Sequence, residues 1–523
     1  MEARERARKI LSAVKSDLGS YTEHNNNINR VFYGYKHLLF VLLNNIRLVL
    51  TPKDRPVRIL LYTDSIMLAN AVTLYGMITN SLVYDVPNNK SHSFVLNTAL
   101  MFDVDVIVTN MNIKDTHSFG AIPILDNILS ESQPYRAVPL NMERFNISSH
   151  IGGIYVLSSG TTRKEGWIFV SFDTMFKAME NYRDMKDAST PYRSSHYILF
   201  GKWEQMFAFY ALLPIILIDG TIKRYTFYTG ESVEKMNSIL EDTNSHFREV
   251  IIHSDRMRRI WDHVLLETNK FKFVFNMNKS KFFKSIVRYL NALRLERFFT
   301  KRVKDVHIIN EDFGIEAIDV FRTSNICFTS SYGAIECANF IAYKNNRLFT
   351  NHYFSNLSGG ILPSTHILAI NLSDFTGNGI NNLTITNDNG EIVSLNDIVT
   401  FIDVADERMP YLAFLSKNIN ECILSDDDMP AMYSDEIAKH FKDSLLIRDL
   451  ASYKKDGKTT LLIEPRRKLM DLQLISFENY VAFVKEFMVR LDTEFNIKVD
   501  NYAIISFNSL RNESGKLAKY LLM

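Results

Sequence analysis

Between residues 57 and 110 the spacing of apolar positions changes character twice. "VRILLYTD" (57–64) is a short aliphatic run that predicts a strand, whereas "IMLANAVTLYGMITN" (66–80) carries apolar residues at helical spacing. "SLVYDV" (81–86) and "VDVIVTN" (104–110) return to strand texture. Strand, helix, strand at these intervals is the rhythm of a parallel α/β sheet. It recurs at "REVIIHS" before the helical "RMRRIWDHVLLE", then at "AIDVFR" and "NICFTS". From about 366 to 404 the strands shorten, and Asp388-Asn389-Gly390 between "NLTIT" and "EIVSL" signals an antiparallel hairpin. "DVADERMP" (403–410) is charged and closed by proline, as linkers are; beyond it lie "TTLLIEP", the helical "SFENYVAFVKEFMVRLDTEF" and "NYAIISF". The expected fold class is α/β. A large N-terminal domain (1–405) combines parallel-rich sheets and helices with a small antiparallel, barrel-like part. A small α+β C-terminal domain (412–523) follows.

Composition narrows the class without naming a function. At 523 residues the chain exceeds one compact core, so two or more domains are expected. With 60 Lys+Arg against 59 Asp+Glu the net charge is +1, and the basic excess of a nucleic-acid binder is missing. The start "MEARERARKILSAVKSDL" is charged and helical in pattern, not a signal peptide. The apolar runs near 37–50 and 197–218 are broken by charged or polar residues, so no membrane span is expected. Cys327, Cys337 and Cys422 lack zinc-type spacing and read as reduced thiols of a cytoplasmic protein.

Four segments carry candidate chemistry. "VLSSGTTRKEG" (156–166) sets Ser158, Ser159, Thr161 and Thr162 around Gly160 between two apolar runs, with cations just beyond. Backbone amides near Gly160 and these hydroxyls could cradle phosphate oxygens; a plain Ser/Thr turn is the other reading. "SSYGAIECANF" (330–340) offers Tyr332 to stack a base, Gly333, and Glu336 as a hard oxygen ligand for Mg²⁺, or an ordinary strand-to-helix connection. Asp397 in "SLNDIVTFID" could accept ribose hydroxyls, or sit on the surface at a strand start. "SLRNESGKLAKYLLM" ends the sequence with Lys516 after a Ser-Gly turn, either a helix start or a mobile cation.

In that order and spacing the segments resemble the adenylate-forming ligase superfamily of acyl- and aryl-CoA synthetases, luciferases and nonribosomal peptide synthetase adenylation domains. The resemblance spans nearly the whole chain. It implies ATP and Mg²⁺ as cofactors, and a small carboxylic acid activated as acyl-AMP. It also implies transfer to a thiol of CoA or of a carrier-protein phosphopantetheine. By match, Ser158, Ser159, Gly160, Thr161 and Thr162 would hold the phosphates and Lys164 would replace the loop's usual lysine. Tyr332 and Gly333 would lie by the adenine, Glu336 would bind Mg²⁺ and Asp397 the ribose. Lys516 would bridge carboxylate and nucleotide, carried by a C-terminal domain that moves as a lid.

The sequence also departs from the family pattern. Ile335 stands where a threonine precedes the metal-binding acid, "FLSKN" offers Lys417 where the family has arginine, and the 158–166 loop is one residue short. Leu510 replaces the proline expected six residues before the final lysine. In "YILFGKWEQMFAFYALL", Trp203-Glu204 resembles the "FDxSxWE" stretch of amino-acid-activating members, and the acid that would pair with a substrate ammonium falls on Leu199. An apolar residue cannot offset the desolvation of a buried ammonium. The acid is therefore expected to be aryl, fatty or short acyl, with His196 a candidate pocket residue. The expected activity is a stand-alone acyl-AMP ligase loading a carrier protein or CoA, with no nucleic-acid partner. An acyl-CoA synthetase proper and a catalytically degenerate binding protein are the alternatives.

Overall fold

The computed structural model describes residues 3–16, 20–25, 28–33, 35–50, 55–113, 120, 122–131, 142, 145–157, 166–176, 178, 196–201, 224–241, 248–269, 281–300, 303–309, 320–321, 323–335, 342–345, 359–361, 367–371, 380–386, 392–402, 411–416, 422–424, 430–433, 447–455, 458–465, 476–495 and 499–505. Helix α1 (Ala3–Ser16) opens the chain and buries Ala7, Ile10, Leu11 and Val14, a single face at helical spacing. The hairpin β1 (Ser20–Asn25) and β2 (Ile28–Tyr33) leads into the apolar helix α2 (Tyr35–Val49). Then β3 (Arg58–Tyr62), α3 (Ile66–Thr79), β4 (Leu82–Val86), α4 (His92–Met101), β5 (Val106–Thr109), β6 (Ile124–Leu125) and the short α5 (Ile128–Glu131) follow. With β7 (Gly153–Leu157) and β8 (Trp167–Ser171) they build a six-stranded sheet of order β6-β5-β3-β4-β7-β8. It is parallel except for β8, which turns back on β7. Every residue of α3 is buried, which explains why its sequence is apolar all round.

A second, thirteen-stranded sheet takes β9 (His196–Phe200), β10 (Arg224–Tyr228), β11 (Arg248–His253), β12 (Val303–Ile309) and β13 (Cys327–Tyr332) as parallel strands. Between them run α6 (Val233–Glu241), α7 (Ser254–Asn269) and α8 (Lys281–Phe299). The first hairpin joins its edge, with β1 parallel to β10. On the other side come antiparallel β14 (Ala342–Asn345), β15 (Gly359–Ile361), β16 (Ile367–Asn371), β17 (Ile380–Thr386), β18 (Ile392–Ile402) and β19 (Tyr411–Ser416). This is the expected antiparallel part, although the Asp388–Gly390 turn and the 403–410 segment lie outside the described residues. The large sheet continues past 405 through Ser416.

Alternation along the parallel strands sorts two cores. Tyr21, Tyr225, Phe227, Leu199, Ile251 and Ile309 face a core shared with α1, α2, α3 and the six-stranded sheet. Ile198, Phe200, Val250, Ile252, Val306, Ile308 and Phe328 face the other side, under α6, α7 and α8. Toward the C-terminus, β20 (Cys422–Leu424) pairs with β21 (Pro430–Tyr433). The strands β22 (Ile447–Lys455), β23 (Lys458–Pro465) and β24 (Asn501–Ile504), with α9 (Phe477–Phe495), have a sheet and core of their own. Two readings change. Within "AIDVFR", read as a strand, the described residues Val320 and Phe321 are helical and pack into the second core. The strand before β13 is instead "VKDVHII", whose polar residues hid a strand buried at every position but Lys304. Among the described residues no helix is long and apolar enough to cross a membrane.

Candidate active site

In open α/β sheets, ligands bind beyond the carboxyl ends of the strands. In the six-stranded sheet that edge carries Thr63, Asp64 and Ser65 after β3, Asn110 after β5 and the 158–166 connection after β7. Ser65 has extended backbone angles (φ −106°, ψ 118°) and caps α3, its hydroxyl accepting from the Leu68 amide at 3.2 Å. Asn110 locks the neighbouring turn: its Oδ1 accepts from the Asp64 amide at 3.1 Å and from the Thr63 hydroxyl, and its Nδ2 donates to Asp64.

The first strand of the large sheet reaches into this cluster. Glu23 Oε1 accepts from the Ser65 hydroxyl at 2.9 Å and from the Met67 amide at 2.5 Å. Arg30 Nη1 lies 3.0 Å from Asp64 and 3.5 Å from Glu23. Glu23 belongs to the carboxyl half of β1, so at this tie the carboxyl ends of both parallel sets open on one side. Burial pushes the Glu23 carboxyl up to about 7, against the Met67 amide, the Ser65 hydroxyl and Arg30, which favour the anion. Burial alone pushes Asp85 up to about 7. It is the penultimate residue of β4, level with Leu61 and Val156, and its Oδ1 has no hydrogen-bond partner. Reading the sequence missed both acids. An acid inside "LVYDV", a strand buried on both faces, was the available signal for Asp85.

The residues singled out from sequence divide into placed and unplaced. Ser158, Ser159, Gly160, Thr161, Thr162, Lys164, Trp203, Glu336, Lys417 and Lys516 lie outside the described residues. Their frames are described: Leu157 pairs with Trp167, so 158–166 closes the β7–β8 hairpin at the carboxyl end of β7. Tyr332 ends β13 opposite Ala342, and Gly333 follows half-buried. Ile335, the departure next to Glu336, is half-buried against the core between the sheets. Its side chain thus makes apolar contact where the family pattern has a hydroxyl.

Asp397 sits in a doubly irregular stretch of β18. On one side the register jumps between Asn382↔Ile398 and Thr384↔Ser394, leaving Leu395, Asn396 and Asp397 opposite Leu383. On the other side it shifts between Ile398 and Val399. Bulges of this kind bend a strand and re-aim its side chains. Ser416, the residue before Lys417, pairs with Ile398, the residue after Asp397. Four strand spacings, about 19 Å, separate β13 from β18 along the sheet.

The two placed pocket candidates differ. Leu199 is buried and faces the core between the sheets, level with Phe227 and Ile251. His196 starts β9 at the opposite, amino edge, buried on the strand face that holds Ile198 and Phe200, with Nε2 2.8 Å from Thr226 Oγ1. That hydrogen bond gives the ring a structural partner.

No family model matches the sequence, and no curated protein matches it either. Solved structures match over the full length. ATP-bound MatB from Rhodopseudomonas palustris aligns with a TM-score of 0.67 at 10% identity, covering 100% of this chain and 98% of that one. O-succinylbenzoate coenzyme A synthetase from Bacillus subtilis, in complex with AMP, gives 0.66 at 9% identity over 98% and 97%. The amide bond synthetase McbA from Marinactinospora thermotolerans gives 0.66 at 12% identity over 99% of each. End to end, the chain has the fold of the adenylate-forming ligase superfamily.

Proposed function

We propose that this protein is an ATP-dependent ligase that activates a carboxylic acid as its adenylate. The observation that carries the proposal is the full-length likeness to an ATP-bound and an AMP-complexed ligase, joined to four motifs in the family's order. A carboxylate oxygen attacks the α-phosphorus and pyrophosphate leaves. A thiol of CoA or a carrier-protein arm then attacks the acyl carbon and AMP leaves. The protein's part is to position the reactants and stabilise developing charge.

In this reading the 158–162 hydroxyls and amides hold the β- and γ-phosphates, with Lys164 beside them. Tyr332 and Gly333 border the adenine, and Asp397 accepts the ribose hydroxyls near Lys417. Glu336 supplies the hard carboxylate oxygen that Mg²⁺ prefers, and the ion when bound neutralises the triphosphate. Lys516 brings a positive charge to the reacting carboxylate from a C-terminal lid beginning after the large sheet. The buried apolar row through Leu199 supports an acid without an α-ammonium group, aryl or fatty/short acyl. Ile335 supports a second reading, a relative that binds nucleotide without turnover. One lost hydroxyl contact costs about 0.5–1.5 kcal/mol, which slows a reaction without abolishing it.

AMP release from ATP, measured over a panel of aryl and aliphatic acids with CoA and then with a phosphopantetheinylated carrier protein, tests the proposal. Acid-dependent AMP formation with one of the two thiols is expected. Tight ATP binding with no AMP from any acid would favour the second reading.

A further inference from the structure

Four of the large apolar side chains that remain exposed lie on one helix. On α8, Ile286 is 39% exposed, Tyr289 57%, Leu290 41% and Leu293 42%. Steps of three, four and seven residues place them on one helical face. The other face of α8 is fully used: Ala292, Leu295, Phe298 and Phe299 pack into the second core with α7 and β12. The helix therefore carries two apolar faces, one of them uncovered, and a contiguous exposed apolar patch marks an interaction surface.

Charge shows what the surface fits. Lys281, Lys284, Arg288, Arg294 and Arg297 share the helix with a single acid, Glu296. That acid is engaged inward, accepting from the Asn325 amide at 2.6 Å and the Ser324 hydroxyl at 3.2 Å. The bias is local. Residues 270–304 hold eleven Lys/Arg and one acid in a chain whose net charge is +1, so the remainder is net negative. The exposed cations do not form one edge: at about 100° per residue, Arg297 falls on the apolar stripe and Arg288 about 200° from Ile286. A fluid layer of anionic headgroups can meet a cation set within the apolar stripe, as Arg297 is. A folded acidic partner would need a matching pattern.

We propose that α8 docks this protein on an anionic phospholipid surface. Ile286, Tyr289, Leu290 and Leu293 enter the boundary between headgroups and acyl chains, while Arg297, exposed on the same stripe, meets lipid phosphates. The proposal stands on the exposed helix alone and does not depend on the adenylation chemistry.

Flotation of the full chain with vesicles tests it, using phosphatidylcholine alone and an equal mixture with phosphatidylglycerol. Binding to the mixture only, weakening as salt rises, is expected. Leu290→Glu/Leu293→Glu and, separately, Arg297→Glu should each weaken it by about tenfold, with unchanged circular dichroism. Absence of wild-type binding to the anionic vesicles would overturn the proposal, as would binding by both variants as tight as the wild type's. Wild-type self-association broken by Leu290→Glu/Leu293→Glu, without vesicle binding, would instead assign the face to a second copy of the chain.

Discussion

Asp85 places a carboxyl group inside a strand buried on both sides, and the consequence is a definite dependence of stability on pH. Unfolded, the group ionises near 4; folded, burial moves it up to about 7. Between those values the native state binds more protons, so stability is greatest below about 4 and falls as pH rises through 7. Glu23 is displaced in the same direction, so the two add. Asp85→Asn removes one contribution: in urea titrations at pH 5 and pH 8 the wild type should lose more stability than the variant, by about 1–3 kcal/mol. Equal losses would show that the Asp85 carboxyl ionises in an ordinary environment. Neither acid stood out in the sequence, because an isolated Asp or Glu is informative only once the burial around it is known.

The cap of α3 ties the two sheets together. Ser65 accepts from Leu68 and donates to Glu23, so one hydroxyl satisfies the helix start and the strand that crosses from the other sheet. Ser65→Ala should cost about 1–2 kcal/mol in thermal or urea unfolding. Ser65→Asp, ordinarily an equivalent cap, should do worse here because it sets a second carboxylate beside buried Glu23. A variant as stable as wild type would contradict that geometry. Regular elements such as α3, β3, β4 and β5 were legible because their apolar spacing repeats within the element. The Glu23–Ser65 tie was not, since its partners are joined only by the packing of two sheets. Strand β12 escaped for a local reason: Lys304, Asp305 and His307 break its apolar run, although Asp305 and His307 are buried.

Across the molecule, the alternation of strand and helix and the change to hairpins after 366 announced the parallel sheets and their antiparallel extension. The order of "SSGTT", "YGAIE", an Asp near 400 and "SGKL" announced the superfamily whose fold the chain has. The boundary between the two expected domains was less legible. Tyr411–Ser416 looks like the start of a new unit because "DVADERMP" precedes it, yet it pairs with β18 and β15 in the large sheet. Hydrogen bonding between distant strands, invisible to a local reading, decides where a sheet ends. Whether these separated segments act on one nucleotide is decided by carboxylate-dependent exchange of labelled pyrophosphate into ATP. The wild type should exchange with at least one aryl or aliphatic acid, and Lys516→Ala should exchange about a hundredfold more slowly or worse while still binding ATP. Wild-type exchange rates in Lys516→Ala, or exchange independent of added acid, would contradict the account.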